Sequence, residues 1–233
     1  MRLKRSILTG LLAVAVFLFT NTGSAAPITG QANIAGNVSV SGTSITFEPN
    51  FTTTAGAGET GSFTGLTGGT IQSLTGGPAT GTLATPVVGF VNFTTGLATP
   101  VTFDLTYIAP GVGNVADCGS SALGASCTPS GSPFTLFQLS SNTVVASLQF
   151  NGNSYIGTSA SGTTPTTSVF STQTALDGTI PQIYTRLLLG QTLSGITYSA
   201  SFNAAPVPEP ASLLLMGIGL VGAGLVARRK LHI

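Results

Sequence analysis

The sequence predicts a mainly β fold: a single β-sandwich or barrel-like domain, flanked by an N-terminal signal helix and a C-terminal transmembrane helix. Apolar and polar residues alternate over 101–107 and 196–202, which is the period of a strand with one buried face. Turns rich in Gly, Pro and Thr separate many short segments of this kind. An apolar run lies near each end of the chain, beside a basic cluster. We therefore expect one exported β-rich domain over 26–205.

Further strands are predicted where β-branched and aromatic residues cluster between turns. They cover 38–40, 44–47, 87–93, 134–139, 144–150, 168–174 and 183–189. Asn151-Gly152 and Asp177-Gly178 predict tight hairpin turns, because these residue types accept the positive φ that such turns require. The stretch 52–85 is rich in Gly, Thr, Ser and Ala, and is expected to form a long decorated loop or irregular edge strands.

Residues 1–25 have the layout of a signal peptide. Their basic start consists of Arg2, Lys4 and Arg5. The apolar run 7–19 follows, and as a helix it would span ~20 Å of a bilayer core that is ~30 Å thick, which indicates transient insertion. Small residues permit cleavage by signal peptidase after Ala25 or after Ala26. We favour Ala25, because cleavage after Ala26 would place Pro27, which lacks a backbone N–H, directly after the cut.

The tail 206–233 contains a proline-rich stem, an apolar segment and a basic end. The prolines of the stem restrict their own φ and that of the preceding residue, so the stem is expected to be extended. Segment 211–227 carries no charge and as a helix spans ~25 Å, within the lower range of transmembrane helices. The basic end 228–230 should remain in the cytoplasm by the positive-inside bias. Both termini are then cytoplasmic before processing, with the domain outside.

These three elements, in this order, resemble the PEP-CTERM sorting signal. The residues that carry the resemblance are Pro208, Glu209 and Pro210, the apolar segment 211–227, and Arg228, Arg229 and Lys230. The resemblance implies a bacterium that makes exopolysaccharide, and a tail that is recognised and cleaved by a membrane-embedded exosortase. It also implies a protein that is transiently in the inner membrane and then at the cell surface or outside the cell.

Cys118 and Cys127 are the only cysteines of the chain. In an exported protein an isolated close pair predicts a disulfide, here one that closes a short loop. A metal site would need further ligands, and the exported domain contains no histidine to supply them. We therefore expect neither a metal nor a cofactor. The surrounding region 103–139 is similar to central domains of uncharacterised PEP-CTERM proteins, a resemblance that brings no activity with it.

The residue inventory argues against most catalytic chemistry. His232 is the only histidine and lies in the tail, and the exported domain contains no lysine, so no histidine-based triad or Ser–Lys dyad is available. Arg186 is the one basic residue of the domain, which argues against nucleic-acid binding. A pair of carboxylates is the remaining catalytic route. The candidates are Glu48, Glu59, Asp104, Asp117 and Asp177.

We expect a structural cell-surface or extracellular-matrix protein, linked to exopolysaccharide or biofilm, and not an enzyme. Its expected partners are signal peptidase, an exosortase-like enzyme, and exopolysaccharide or further copies of itself, because few charges protect exposed strand edges. A carbohydrate-binding or adhesive module is the alternative, and a glycoside hydrolase with paired carboxylates is a third reading. The tyrosines available to stack on sugars are Tyr107, Tyr155, Tyr184 and Tyr198.

Overall fold

The computed structural model describes residues 27–42, 44–54, 58–75, 80–159, 162–172, 176–205 and 217–219. In chain order the strands are β1 (Gly30–Ser41), β2 (Ser44–Phe47), β3 (Asn50–Thr53), β4 (Gly68–Ile71), β5 (Gly81–Thr95), β6 (Val101–Ile108), β7 (Ser126–Cys127), β8 (Thr135–Ser140), β9 (Thr143–Ile156), β10 (Thr164–Thr172), β11 (Leu176–Asp177) and β12 (Leu193–Ala204). Helix α1 (Ile180–Leu188) lies between β11 and β12, and 3₁₀ helices cover Gly61–Phe63 and Val115–Gly119.

Eight of these strands form a closed antiparallel barrel. The ring runs β10–β12–β1–β3–β4–β5–β6–β9, and the pairing of β9 with β10 closes it. The remaining strands are additions: β2 pairs with β1, β8 and β11 pair with β9, and β7 pairs with β8. The barrel-like alternative of the predicted β class is therefore confirmed. Closure gives each ring strand a neighbour on both sides along at least part of its length.

Aromatic rings fill the barrel. Phe202 contacts Phe103 and Phe170 with ring centroids 5.3 and 5.7 Å apart, and Phe170 lies 5.1 Å from Phe150. The network continues through Phe47, Phe51, Phe63, Phe90, Phe93 and Tyr198. Most of these pairs are edge-to-face, the arrangement that aromatic quadrupoles favour. A small apolar cavity of about 30 Å³ remains beside Phe170.

The alternating patterns correctly predict β6 and β12. Phe103 and Leu105 of β6 are completely buried, as is Phe202 of β12, and their polar neighbours lie on the outer face. The predicted segment 44–47 coincides with β2. β1 is much longer than the predicted 38–40, because its first half alternates small residues such as Ala32 with polar ones and so lacks a strong apolar signal.

The predicted strand 183–189 is wrong, because most of this segment belongs to helix α1. Thr179 and Gln182 form a capping box at the helix N-terminus, and a proline occupies its first turn. Ile180, Ile183 and Leu187 recur at helical spacing and pack against the core. The local capping signals therefore override the β-branched composition of the segment.

Both predicted hairpin turns are also wrong. Asn151 and Gly152 lie within β9, where Gly152 pairs with Leu105 of β6 and with Thr166 of β10. A Cβ on Gly152 would overlap the carbonyl oxygen of Asp104, so this position requires glycine for close backbone approach. Asp177-Gly178 connects β11 to α1, with Gly178 at φ 130°.

The stretch 52–85 contributes members of the ring. It contains the end of β3, a 3₁₀ helix, β4 and the start of β5, while 55–57 and 76–79 lie outside the described residues. β3 and β4 pair on both sides, so the predicted edge position is wrong. The glycines of β4 allow close packing: a Cβ on Gly69 would overlap the carbonyl oxygen of Asn92.

The first and last strands of the domain are neighbours. Gly30 pairs with Ala204, and Ala204 pairs on its other side with Thr166 of β10. The chain therefore enters and leaves the barrel at one end, which we call the terminal end and define by Gly30, Thr164 and Ala204. The opposite end, which we call the loop end, carries the β1–β2 hairpin, the segment 109–134 and helix α1.

The predicted signal helix and transmembrane helix lie outside the described residues. Within the part of the chain that the structure describes, no helix is long and apolar enough to cross a membrane. The domain boundaries at 25/26 and 205/206 remain predictions.

Gly152→Ala tests the close approach of β9 to β6. We expect it to lower the free energy of unfolding by about 1–3 kcal/mol, because the new methyl group must displace the backbone of β6 or the ring of Phe103. Gly119→Ala is the matched control, since a Cβ there meets no atom within 4 Å. Urea denaturation of both variants measures the difference, and an equal effect of the two would contradict the packing of β9.

Candidate functional site

A groove of about 410 Å³ opens at the loop end. Its walls are the β1–β2 hairpin with Ser41 and Ser44, the loop 129–134, and one side of α1 with Tyr184 and Leu188. All its lining residues are uncharged, and serine, glycine and proline predominate in the loop. A neutral wall with hydroxyl groups and the two aromatic rings of Phe134 and Tyr184 suits an uncharged, hydroxyl-rich ligand better than an ionic one.

A buried glutamine positions helix α1 beside the groove. The Gln138 side chain is 1 % exposed, and its Oε1 accepts a hydrogen bond of 2.8 Å from the backbone N–H of Ile180. Its Nε2 donates to the carbonyl oxygens of Ser140 and Thr143 in the β8–β9 turn, at 2.6 and 3.3 Å. One side chain thus satisfies a free N–H of the helix start and joins it to the hairpin.

The cysteine pair fixes the other wall of the groove. Cys118 and Cys127 lie at disulfide distance with Cα atoms 4.9 Å apart, as predicted, and both are buried. Thr128 follows directly, and its hydroxyl accepts a hydrogen bond of 2.8 Å from the N–H of Gly113. The loop 129–134 therefore begins at a point tied to the 3₁₀ helix Val115–Gly119.

The four tyrosines have different environments. Tyr184 lies half-buried in the groove wall. Tyr107 is half-buried on β6 and is not part of that groove. Tyr155 and Tyr198 are 7 and 2 % exposed, so their rings are not available as stacking platforms. Of the four residues predicted as sugar platforms, Tyr184 alone is in the groove.

A polar cluster lies on the barrel wall around Asp104. Oδ1 of Asp104 accepts hydrogen bonds from the N–H of Gly89 at 2.7 Å and from the hydroxyl of Tyr155 at 3.1 Å. Gln72 and Asn92 donate to the carbonyl oxygen of Gly89 at 2.7 and 3.0 Å. Gly89 has φ 63° and lies where the β5–β6 register shifts. The cluster therefore stabilises an irregular point of β5, which indicates a structural role.

The candidate carboxylates lie on different elements. Asp104 is on β6, Asp117 in a 3₁₀ helix, and Asp177 at the end of β11, in a surface groove shared with Arg186. Glu48 follows β2 and accepts a hydrogen bond of 2.8 Å from the Asn37 side chain, and Glu59 lies between β3 and the 3₁₀ helix Gly61–Phe63. The grooves at Tyr184 and Asp177 do not bring two of them together. Within the described residues, no group of three or more His, Cys, Asp or Glu side chains is placed to hold a metal ion.

Comparison with known families gives one match, to the tail. Residues 206–230 match the family model described as the PEP-CTERM protein-sorting motif. The chain carries this sorting motif. The match supports an exported protein that is sorted by its C-terminal tail and processed by an exosortase-like enzyme. No curated protein and no solved structure matches the chain significantly.

The residues of the PEP-CTERM motif and of the signal cleavage lie outside the described structure. They comprise Pro208, Glu209, Pro210, Arg228, Arg229 and Lys230, together with Ala25 and Ala26. The structure does show where the motif attaches, because the matched segment begins two residues after Ala204, the last residue of β12.

The sequence reasoning overlooked Gln138 and the groove that it helps to form. A signal was present: Gln138 occupies an inward position within the apolar strand predicted at 134–139, where a polar side chain needs a buried partner. The groove itself had no such signal, since its loop is made of small residues without distinctive chemistry.

Tyr198→Phe and Tyr155→Phe form a matched pair of stability tests. The Tyr198 hydroxyl is buried without a hydrogen-bond partner among the described residues, so its removal should leave stability unchanged or raise it by about 1 kcal/mol. Tyr155→Phe removes a hydrogen bond to Asp104 and should cost about 1–3 kcal/mol. Urea denaturation distinguishes the two, and an equal loss in both variants would contradict the assignment.

Alkaline pH provides an independent test of the same burial. Burial raises the pKa of Tyr198 far above its ordinary value of 10.0, and burial together with Asp104 raises the pKa of Tyr155. Because both ionise at lower pH in the unfolded chain, their contribution to stability is complete below pH 10.0 and is lost as the pH rises towards their folded-state pKa values. In Tyr198→Phe, the urea midpoint should therefore decrease less steeply with pH above pH 10.0 than it does in the wild type. An unchanged decline would contradict the raised pKa.

Proposed function

We propose that the protein is a structural component of the cell surface or extracellular matrix, sorted through its PEP-CTERM tail and associated with exopolysaccharide or biofilm. The observation that carries this proposal is the sorting motif at 206–230. The closed barrel adds support, because a filled aromatic core and complete strand pairing suit a durable scaffold. Its surface is hydrated largely by uncharged polar side chains, since only 6 % of the residues are charged.

In this proposal the chain is processed at both ends. Signal peptidase cuts after Ala25 or Ala26, and the exosortase-like enzyme acts at Pro208-Glu209-Pro210. Before processing, both termini are cytoplasmic and the domain lies outside the inner membrane. The common position of Gly30 and Ala204 supports this topology, because a single end of the barrel then faces the membrane.

A carbohydrate-binding or adhesive role is the second candidate, and the Tyr184 groove favours it. The groove is uncharged and lined by hydroxyl groups, as a neutral glycan would require. It lies at the loop end, opposite both termini, so a barrel held at the membrane would present it outward. Self-association through the short edge strands belongs to the same class of surface roles.

The proposal assigns no catalytic activity, metal or cofactor to the domain. The placement of the carboxylates supports this choice, because a glycosidase needs two of them ~5–9.5 Å apart across one cleft. Neither the Tyr184 groove nor the Asp177 groove contains two of the candidates Glu48, Glu59, Asp104, Asp117 and Asp177.

The intact mass of the protein from a host with an exosortase tests the processing. We expect a species that lacks the first 25 or 26 residues and the residues after about Glu209. A mature protein that keeps 211–227 would contradict sorting by cleavage and would indicate a permanent anchor. Masses recorded with and without reduction and alkylation would show in the same experiment whether Cys118 and Cys127 are bonded.

Affinity electrophoresis through gels that contain the producer's exopolysaccharide tests glycan binding. Retardation of the wild type that is lost in Tyr184→Ala and kept in Tyr107→Ala would support the groove as the binding site. The two variants remove the same half-buried side chain type, but only Tyr184 lies in the groove. Equal mobility of the wild type with and without glycan would contradict this second candidate and leave the structural role.

A further inference from the structure

The sorting motif is attached to the barrel by a very short connection. Ala204 is paired on both sides, with Gly30 of β1 and Thr166 of β10, and the N–H of Ala205 donates to the carbonyl oxygen of Pro165 at 3.4 Å. Residues 205–207 are all that separates this paired strand from Pro208. Even fully extended, the four Cα–Cα steps from Ala204 to Pro208 reach at most ~14 Å.

Fraying of β12 does not readily lengthen this connection. Two residues before Ala204, Phe202 is completely buried and contacts Phe93, Phe103 and Phe170 with ring centroids 5.2, 5.3 and 5.7 Å apart. Releasing the strand to this point would expose an aromatic ring and break two ladders of hydrogen bonds. The folded barrel therefore stays close to the motif.

The entry of the chain is fixed at the same place. Ile28 is 2 % exposed, and its N–H donates to the hydroxyl of Thr164 at 2.9 Å. The signal cleavage expected after Ala25 or Ala26 lies only a few residues before this contact. The terminal end thus adjoins both processing sites.

The loops of the terminal end have a composition suited to close contact. Their described parts are 58–67, 96–100, 157–159 and 162–163, in which Gly, Thr and Ser predominate and Glu59 is the single charged residue. Small uncharged side chains permit another surface to approach closely at little desolvation cost.

We propose that the terminal end of the barrel is a docking surface for the membrane-embedded enzyme that processes the tail, an inference that rests on the proposed function. An enzyme that binds the motif at Pro208 has the terminal end of the folded barrel within ~14 Å, on the N-terminal side of the motif. The folded domain is then part of what the enzyme recognises, and access to the motif depends on the shape of this end.

Bulk added beside the connection tests the proposal. Thr163 is exposed and immediately precedes β10, whose Pro165 bonds to Ala205. In the full-length chain, expressed with the processing enzyme, Thr163→Arg and the uncharged Thr163→Trp should each slow formation of the shortened species about fivefold or more, which corresponds to ~1 kcal/mol or more of activation free energy. Pulse-chase labelling measures the rates.

Thr46→Arg is the matched control, because Thr46 is an exposed strand residue on β2 near the loop end. It should be processed at the wild-type rate. A Gly-Ser insertion after Ala205 that lengthens the connection should restore processing of Thr163→Arg. Resistance to protease, measured on each variant, verifies that the barrel is folded.

Equal processing rates for folded Thr163→Arg, Thr163→Trp and Thr46→Arg would overturn the docking surface while leaving the proposed sorting intact. The same conclusion would follow if the insertion failed to restore a slowed variant. If the unaltered chain itself yields no shortened species, the proposed processing is contradicted, and the docking surface falls with it.

Discussion

The double pairing of β12, with β10 on one side and β1 on the other, is the constraint on which the rest of the structure depends. It closes the barrel, and closure is what encloses the aromatic rings of Phe103, Phe170 and Phe202. The same pairing places the start of β1 and the end of β12 at one end of the barrel, while the β1–β2 hairpin, the cysteine pair and α1 lie at the other. The position of β12 therefore determines how the aromatic core is enclosed, where the sorting motif is attached, and at which end of the barrel the Tyr184 groove lies.

The sequence predicts the β class, the strands β2, β6, β8 and β12, parts of β5, β9 and β10, and the cysteine pairing, because each depends on local pattern. It does not predict where β1 begins, because the first half of this strand alternates small residues such as Ala32 with polar ones. Residues of these types have a low intrinsic preference for strands, and pairing within the closed barrel holds them in β1. Helix α1 was mistaken for a strand because its isoleucines and leucines fit either period, and the deciding cap at Thr179 is a matter of side-chain geometry.

The site shows the same division between local and long-range information. The sorting motif is readable as a contiguous string of residues at 206–230. The groove is assembled from three distant segments, and its position depends on the contact of Gln138 with Ile180, 42 residues later in the chain. A glycine in the sequence can likewise indicate either a turn or a close contact. Asn151-Gly152 has the composition of a hairpin turn, but Gly152 lies within β9, where the backbone of β6 is too close for a Cβ atom.

The position of β12 also determines when an exported chain can finish folding. As the domain leaves the membrane from its N-terminus, β1 emerges first and its partner β12 last, since the paired residues run from Gly30 with Ala204 to Val40 with Leu193. During translocation the emerging sheet has two open edges, one on β1 and one on β10, and neither is protected by charged side chains. Translocation of the final strand is therefore the event that removes a transient aggregation hazard, so chaperones outside the membrane would matter most for chains that stall just short of it.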